Sequence, residues 1–336
     1  MIIKAHAYPR AALIGNPSDG YFGKTIAFTF NNFQADVTLY DTPELEILPA
    51  RRDHSRFASL AELAADVRAY GYYGGIRLIK AALKRFHDYC TQTGAHLHDR
   101  TFSIRYHSSI PPHLGLAGSS AIITACMRAL QGFYGITIPR PQLAGLILSV
   151  ETDELGIGAG LQDRVAQVYQ GMVHMDFNRE HMGREGYGIY TELSPASLPN
   201  LYIAFNTTLA EGTEVVHNNL RYRWENGDEA VHAAMGDFAV LTDRFRAALE
   251  AGDHSRVDEI INANFDLRRS IMNLNPRHVA MVEAARTAGA SAKYTGSGGA
   301  IIGTYRDQAG YDRLASVLGE HGMTVIQPRI AYPEEQ

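Results

Sequence analysis

The sequence predicts an α+β protein of two domains. Its 336 residues exceed the length of one ordinary domain. Candidate strands and helices occur in blocks, with strands first and long helices later, rather than in the regular alternation of a doubly wound parallel sheet. The stretch LSPASLPN, residues 193–200, places proline and serine punctuation between the blocks. We therefore expect a boundary near 190–200 and divide the chain into residues 1–195 and 196–336.

Composition narrows the class of protein before any motif is considered. Hydrophobic residues make up 46% of the chain and charged residues 20%, as in soluble globular proteins. The net charge of −5 argues against a nucleic-acid-binding surface. The sequence shows neither the apolar stretch of a signal peptide nor an apolar run long enough to span a membrane. Cys90 and Cys126 lack metal-ligand spacing, so we expect a reducing, cytoplasmic setting.

The first block contains most of the predicted strands. Short, partly alternating segments between turn residues predict strands over AALIG, KTIAFTF, QADVTLY and LEILPA. Helical periodicity predicts helices over IRLIKAALKRFHDYC, over residues 119–134 and 140–154, and from Leu161. TFSIRYHSSI and GMVHMDF are further strand candidates.

Long helical patterns dominate the second block. They predict helices around residues 227–251, 255–273, 276–288 and 308–319. The strand candidates SAKYTG, AIIGTY and MTVIQP lie between or after these helices.

Gly23-Lys24-Thr25 matches the end of the phosphate-binding loop of P-loop nucleotide hydrolases. The full motif needs a glycine five positions before Gly23, where this chain has Ser18. It should also open a helix, yet TIAFTF alternates like a strand. We therefore expect the phosphate site elsewhere.

A first glycine-rich loop opens PPHLGLAGSSAIITACMRAL, residues 111–130. Gly115 and Gly118 permit backbone conformations that a Cβ disfavours, and Ser119 and Ser120 stand where we expect a helix N-cap. Such a loop is suited to bind an anion, because free N–H groups and the helix dipole converge there. A serine hydroxyl beside a phosphate is also a natural Mg²⁺ ligand. The alternative is a simple turn with a serine cap.

A second loop lies in ETDELGIGAGLQDRVAQVYQG, residues 151–171. Glu151 and Asp163 flank the glycine-rich turn 156–160, which can fold the chain back and bring both carboxylates to one site. One carboxylate would then serve a metal and the other a substrate proton. Alternatively, Glu151 is a solvated helix residue and Asp163 an N-cap.

A third loop, in KYTGSGGAIIGTY at residues 293–305, places Gly296, Gly298 and Gly299 around Ser297. It suits either a hairpin turn or a backbone wall close to a ligand.

Together these loops, in this order after YPRAALIGNPSD, resemble the motifs of the GHMP kinases. The first motif of that superfamily corresponds to Arg10 five positions before Gly15, the second to PPHLGLAGSSA, and the third to TGSGGA. Within the superfamily, LIGNPSDGYFGKTIAFT, ELGIGAGLQDRVAQVYQGMVHMDF and NANFDLRRSIM resemble the glucuronokinase branch. Ala117 adds a residue to the common second motif, and Gly303-Thr304 follow the third loop in place of a cysteine.

The resemblance implies a mixed α/β nucleotide-binding domain and a ferredoxin-like C-terminal domain, with the active site in the cleft between them. It implies ATP- and Mg²⁺-dependent phosphorylation of the anomeric hydroxyl of D-glucuronate. Asp163 is then the catalytic carboxylate paired with Arg10, and Ser120 and Glu151 are the Mg²⁺ ligands. The residues expected around the nucleotide phosphates are Pro112, Gly115, Leu116, Ala117, Gly118, Ser119, Ser120, Gly296, Ser297 and Gly298.

On the sugar side, the resemblance implies Asn16, Asp19 and Lys24, with Tyr72 or Tyr73 as further candidates. A uronate carboxylate needs a cationic partner, for which the planar fork of arginine is best suited. The candidates for this partner are Lys24, Arg164, Arg221, Arg223, Arg268 and Arg269. Any of these side chains could instead form a structural ion pair or be exposed.

Two other functions remain open from sequence alone. One is another GHMP sugar kinase, acting on galacturonate, a heptose phosphate or an N-acetylhexosamine. The other is a non-catalytic binding protein of the same fold. We expect small-molecule partners and either a monomer or a homodimer.

Overall fold

The computed structural model describes residues 1–50, 53, 58–64, 74–207 and 214–332. The strands in these ranges are β1 (Ile2–Ala7), β2 (Arg10–Ile14), β3 (Lys24–Thr29), β4 (Ala35–Thr42), β5 (Glu46–Leu48), β6 (Thr101–Ser108), β7 (Met172–Asp176), β8 (Ile189–Leu193), β9 (Leu201–Phe205), β10 (Lys293–Tyr294), β11 (Ala300–Thr304) and β12 (Thr324–Ile326). The α-helices are α1 (Gly75–Thr93), α2 (Gly118–Tyr134), α3 (Arg140–Ser149), α4 (Leu161–Tyr169), α5 (Arg179–Glu185), α6 (Glu214–Glu225), α7 (Glu229–Glu250), α8 (His254–Ile271), α9 (Pro276–Thr287) and α10 (Gln308–Glu320).

The first half of the chain builds two four-stranded sheets and a buried helix that packs against the first of them. Their strand orders are β1-β4-β6-β5 and β2-β3-β7-β8. Neighbours pair antiparallel except for the parallel pair β5–β6. Helix α2 packs against β1 and β4 on one side and against α1 and α4 on others. It is apolar on most faces, because Ala125, Cys126 and Met127 are all fully buried.

The second half contains an antiparallel sheet of order β10-β11-β9-β12. In chain order, β9, helices, β10, β11, α10 and β12 follow the β-α-β-β-α-β pattern of ferredoxin-like domains. Its own core joins Tyr202, Met281 and Leu314. The expected two-domain α+β fold, with a ferredoxin-like second part, is therefore confirmed.

The chain passes from the second sheet to the third between β8 and β9. Strand β8 ends at Leu193 in the second sheet, and β9 begins at Leu201 in the third. We keep 1–195 and 196–336 as the proposed domains, with one qualification. The backbone of Ala331 pairs with that of Thr29 at 2.8 Å, so the end of the described chain returns to the first domain.

Several elements differ from the sequence expectations. The predicted helix 140–154 ends its α-helical part at Ser149 and continues as a π-helical turn over Val150–Glu154. Strands β1, β8 and β9 and helices α5 and α6 were not predicted. Lys24 begins β3 rather than a helix, which agrees with the rejection of a P-loop. Among the described residues, no helix has the length and apolar character needed to cross a membrane.

Candidate active site

The first glycine-rich loop ends one residue earlier than the sequence suggested. Helix α2 begins at Gly118, and its N-cap is Ala117 in the left-handed conformation, with φ 60°. Ser119 and Ser120 therefore lie inside the first turn, and the prediction that they form the N-cap is wrong. Ala117 has no side chain that can cap the helix. The first N–H groups of α2 are thus left without a side-chain cap, as an anion site requires.

The first and third loops pack backbone against backbone. Gly115 has φ +64°, and a Cβ on it would lie 2.9 Å from the amide nitrogen of Ser297. A Cβ on Gly296 would overlap the carbonyl oxygen of Gly115. Glycine is required at both positions because any side chain would push the loops apart. Gly298 has φ +149° and its α-carbon faces His278 closely enough to exclude a Cβ.

Arg10 connects these two loops to the catalytic carboxylate suggested by the sequence. Its guanidinium Nη1 donates to the carbonyl oxygens of Gly115 at 3.2 Å and Thr295 at 2.5 Å. Its Nη2 donates to Oδ1 of Asp163 at 2.5 Å. The backbone N–H of Arg10 also donates to Leu116 O, so the start of β2 is fixed against the first loop. One buried side chain therefore joins three segments that are distant in sequence.

Asp163 lies in the first turn of α4, which begins at Leu161. Its side chain is 20% exposed, while that of Arg10 is 4% exposed. Burial favours the neutral acid, but the positive charges of Arg10 and Arg164 outweigh it and lower the pKa of Asp163 below its ordinary value. Asp163 is consequently ionised at neutral pH and is able to accept a proton.

Glu151 occupies the π-helical turn that follows α3 and is almost fully buried. Its Oε1 accepts a hydrogen bond from Ser119 Oγ at 2.7 Å, and its Oε2 forms an ion pair with Arg164. The hydroxyl of Ser120 donates instead to the carbonyl oxygen of Ala117 at 3.1 Å. Of the two serines, Ser119 is thus the one in contact with the carboxylate.

Arg164 lies between the two carboxylates. Besides its contact with Glu151, its Nη1 is 3.4 Å from Oδ2 of Asp163 and donates to Gly160 O at 2.9 Å. Both carboxylates therefore flank one guanidinium, at the side of the site where α2 begins. The sequence expectation that the turn 156–160 brings them to one place agrees with this geometry.

The oxygen donors present fit a hard divalent cation only in part. The described residues contain no cluster of three or more acidic, histidine or cysteine side chains that could hold a metal by themselves. Glu151 and the serine hydroxyls of the first turn of α2 supply oxygens but leave most of a coordination shell open. This is the pattern expected for Mg²⁺ bound through phosphate and water oxygens.

Asp19 and Asn16 lie in the segment before β3. Asp19 contacts the start of α4, and Asn16 donates to Tyr294 O just before the third loop. Asp19 belongs to the 3₁₀ turn Ser18–Tyr21, and a Cβ on Gly160 would overlap its carboxylate. Burial, reinforced by the charge of Asp163, raises the pKa of Asp19 to about 6. Asn16 is buried, and its Oδ1 has no hydrogen-bond partner in the described part of the protein. A ligand hydroxyl would satisfy that acceptor.

Of the cations that the sequence offered as substrate residues, Lys24 and Arg268, like Arg164, already have protein partners. Lys24 contacts Asp243 at 2.9 Å and Asp176 at 3.7 Å. Arg268 is buried and donates to the carbonyl oxygens of Gly296 at 2.7 Å and Ser297 at 3.3 Å. Arg268 therefore supports the third loop. Burial lowers its pKa to about 10. Tyr72 and Tyr73 lie outside the described residues.

Sequence reasoning missed two buried side chains that hold the loops. Lys293 donates to the carbonyl oxygens of Ala12 at 2.7 Å and Tyr294 at 2.9 Å. Burial, together with the charges of Arg268 and Arg10, sets its pKa well below the ordinary value. Gln167 donates to Ala117 O at 2.8 Å and so holds the bend before α2. Lys293 opens the segment 293–305 and Gln167 lies in the segment 151–171, but neither side chain was identified from the sequence as one that holds a loop.

Comparison with known proteins agrees with this architecture. Residues 77–171 match the family model for the GHMP kinases N terminal domain, and residues 245–322 match GHMP kinases C terminal. "Probable glucuronokinase 2" and "Glucuronokinase 1" of Arabidopsis thaliana are 44% and 42% identical, over 90% and 89% of this chain and 84% of each relative. The solved phosphomevalonate kinase of Streptococcus pneumoniae superposes with a TM-score of 0.74 at 14% identity, covering 98% of this chain and all of the other.

Proposed function

Because this chain belongs to the GHMP kinase family, we propose that it is a sugar 1-kinase. It transfers the γ-phosphoryl group of ATP to the anomeric hydroxyl of D-glucuronate, giving glucuronate 1-phosphate and ADP. Two relatives support D-glucuronate as the acceptor, because both are named glucuronokinase and are 44% and 42% identical over most of the chain. The geometry that best supports the chemistry is the contact of Arg10 with both glycine loops and with Asp163.

Asp163 acts on the sugar. Its ionised carboxylate accepts the proton of the anomeric hydroxyl as that oxygen bonds to the γ-phosphorus and the bond to the ADP oxygen breaks. A positioned base of this kind contributes about 10²- to 10⁴-fold to the rate. Arg10 keeps Asp163 ionised and places a positive charge beside the transferring group. Asp19 and Asn16 orient the other hydroxyls of the sugar.

The loops hold the nucleotide. The uncapped N–H groups at the start of α2 bind phosphate oxygens, and the loop 296–298 closes the other side. Ser120 and Glu151 would hold Mg²⁺, and Ser119 orients the carboxylate of Glu151 through its hydrogen bond. When bound, the metal ion neutralises the charge of the β- and γ-phosphates. Pro112 and Leu116 belong to the loop that precedes these groups, and Leu116 O accepts a hydrogen bond from the backbone N–H of Arg10.

A coupled assay of ADP release tests this function directly. We expect ADP formation with D-glucuronate and Mg²⁺, and a phosphate ester at the anomeric carbon in the ³¹P spectrum of the product. Galacturonate, glucose, an N-acetylhexosamine and a heptose phosphate serve as competing acceptors. Glucuronate no better than glucose would refute the uronate assignment. No ADP with any sugar, while ATP still binds, would instead indicate a binding protein of this fold.

A further inference from the structure

A uronate acceptor brings a negative charge that the active site must neutralise. In the described part of the chain, most cationic side chains around the site already form hydrogen bonds or ion pairs with other protein groups. Arg223 contacts Asp228 at 2.8 Å and Ile271 O, and Arg269 forms an ion pair with Glu283 at 2.9 Å. The other basic side chains with such protein partners are Arg10, Lys24, Arg164, Arg268 and Lys293.

Arg221 on α6 differs from all of these. No hydrogen bond or ion pair joins its guanidinium to another described residue. The guanidinium carbon lies 5.3 Å from the centre of the Tyr21 ring, and Nη2 lies 3.4 Å from the position that a Cβ on Gly20 would take. The contact with Tyr21 leaves the N–H groups at the edge of the guanidinium plane available for a ligand.

The aromatic ring that Arg221 contacts is itself packed in an apolar cluster. Tyr21 is buried, with 5% of its surface exposed, and its ring packs against Trp224 at a centroid distance of 5.2 Å. Tyr21, Trp224 and Leu220 belong to one apolar cluster that joins α6 to the turn Ser18–Tyr21. The guanidinium is therefore held over a fixed aromatic surface rather than on a free side chain.

Arg221 lies beside the turn that carries Asp19. Gly20 and Tyr21 follow Asp19 in the same 3₁₀ turn. On its other side, Asp19 contacts Gly160 and the N–H of Gln162 at the start of α4, which carries Asp163. The turn Ser18–Tyr21 therefore contacts the start of α4 through Asp19 and contacts Arg221 through Gly20 and Tyr21. In the proposed pose, a pyranose with its anomeric hydroxyl at Asp163 extends past Asp19, with its carbon 6 on the side of Arg221.

We infer that Arg221 binds the carboxylate at carbon 6 of the sugar acid and so selects uronates over neutral sugars. The inference rests on the proposed function. Arginine is suited to this task, because its two terminal N–H groups match both carboxylate oxygens in a single plane.

The experiment compares D-glucuronate with its neutral analogue D-glucuronamide in wild type, Arg221→Gln and Arg221→Lys. We expect Arg221→Gln to raise KM for glucuronate roughly 10- to 100-fold and to lower the acid-to-amide ratio of kcat/KM by a similar factor. KM for ATP and the urea midpoint should stay at their wild-type values. Arg221→Lys should give an intermediate ratio, since it keeps the charge but loses the planar fork. Arg269→Gln, at an exposed ion pair, is the matched control and should leave the ratio unchanged.

The outcomes separate the two proposals. Wild type active on glucuronate, with an Arg221→Gln acid-to-amide ratio equal to that of wild type, would overturn the role of Arg221 and leave the kinase assignment intact. Wild type with no preference for glucuronate over glucose would overturn the proposed acceptor and the role of Arg221 with it.

Discussion

Replacing Arg10 with methionine tests whether one buried guanidinium holds the active site together. The substitution removes the ion pair with Asp163 and the hydrogen bonds that the guanidinium donates to the carbonyl oxygens of Gly115 and Thr295. Breaking a buried pair by removing one partner costs about 3–5 kcal/mol. A folded protein is stable by only about 5–15 kcal/mol in total. We therefore expect a large fall in the urea midpoint together with loss of turnover.

The same substitution should change the pH dependence in a defined direction. Without Arg10, the effect of burial on Asp163 is opposed only by Arg164 and by a hydrogen bond from Gln162, so the pKa of Asp163 rises and the acidic limb of kcat/KM moves to higher pH. In wild type, the pKa of Asp163 is lower in the folded protein than its ordinary value of 3.8 in the unfolded chain. The ionised carboxylate therefore stabilises the fold at pH values above 3.8, and this contribution is lost as the pH falls through the folded pKa. The stability difference between the proteins should accordingly be full at pH 7 and shrink below about pH 4.

Arg269→Met is the matched control for this experiment. Arg269 pairs with Glu283 at 2.9 Å, but both side chains are more than half exposed. Such pairs contribute about 0–1 kcal/mol, so the urea midpoint and the pH profile should stay close to wild type. An Arg10→Met protein with the stability and acidic limb of this control would refute the claim that Arg10 organises the site.

Three further variants test separate parts of the site. Asp19→Asn should stabilise the fold by about 1–3 kcal/mol at pH 8 and not at pH 4, because a folded pKa near 6 makes the ionised form unfavourable; equal urea midpoints at pH 8 would contradict the burial of its charge. Gly115→Ala should raise KM for ATP about tenfold or more. Gly135 has a similar φ of +67° but open space around it, so Gly135→Ala should cost only about 1 kcal/mol of stability. Equal KM for ATP in both variants would show that the contact between the two loops does not affect nucleotide binding. Ser119→Ala should raise the Mg²⁺ concentration for half-maximal activity about tenfold, and an unchanged Mg²⁺ titration would show that its hydrogen bond to Glu151 does not orient the carboxylate.

The sequence predicted the elements with strong periodicity and missed those without it. The helix expected over 119–134 is α2, and IRLIKAALKRFHDYC lies within α1. Strand β1 was missed although Ile3, Ala5 and Ala7 alternate with Lys4 and His6, because the alternation is short and only Ala7 is buried. Helix α5 buries no residue at all, and its short polar sequence resembles a loop. Local pattern is informative only where one face of an element enters the core.

The active site, too, could be predicted from the sequence only in part. The glycine loops and the two carboxylates could be identified because each lies in a short continuous motif. The contacts that join them could not, since Arg10 and Thr295 are 285 positions apart and meet only through tertiary packing. The N-cap prediction failed because Ala117 adopts a left-handed conformation that alanine rarely takes, and this moved the helix start before the serines. Arg221 was one of several equivalent arginines in the sequence; its contacts alone distinguish it.

The most direct test of the central claim is turnover by Asp163→Asn with ATP binding measured on the same protein. Asparagine preserves the shape of the side chain and removes the proton acceptor. We expect kcat with glucuronate to fall about 10²- to 10⁴-fold, while calorimetry with a non-hydrolysable ATP analogue shows affinity within a few-fold of wild type. Turnover within a few-fold of wild type would contradict the claim that the glycine loops and Asp163 form one phosphoryl-transfer site.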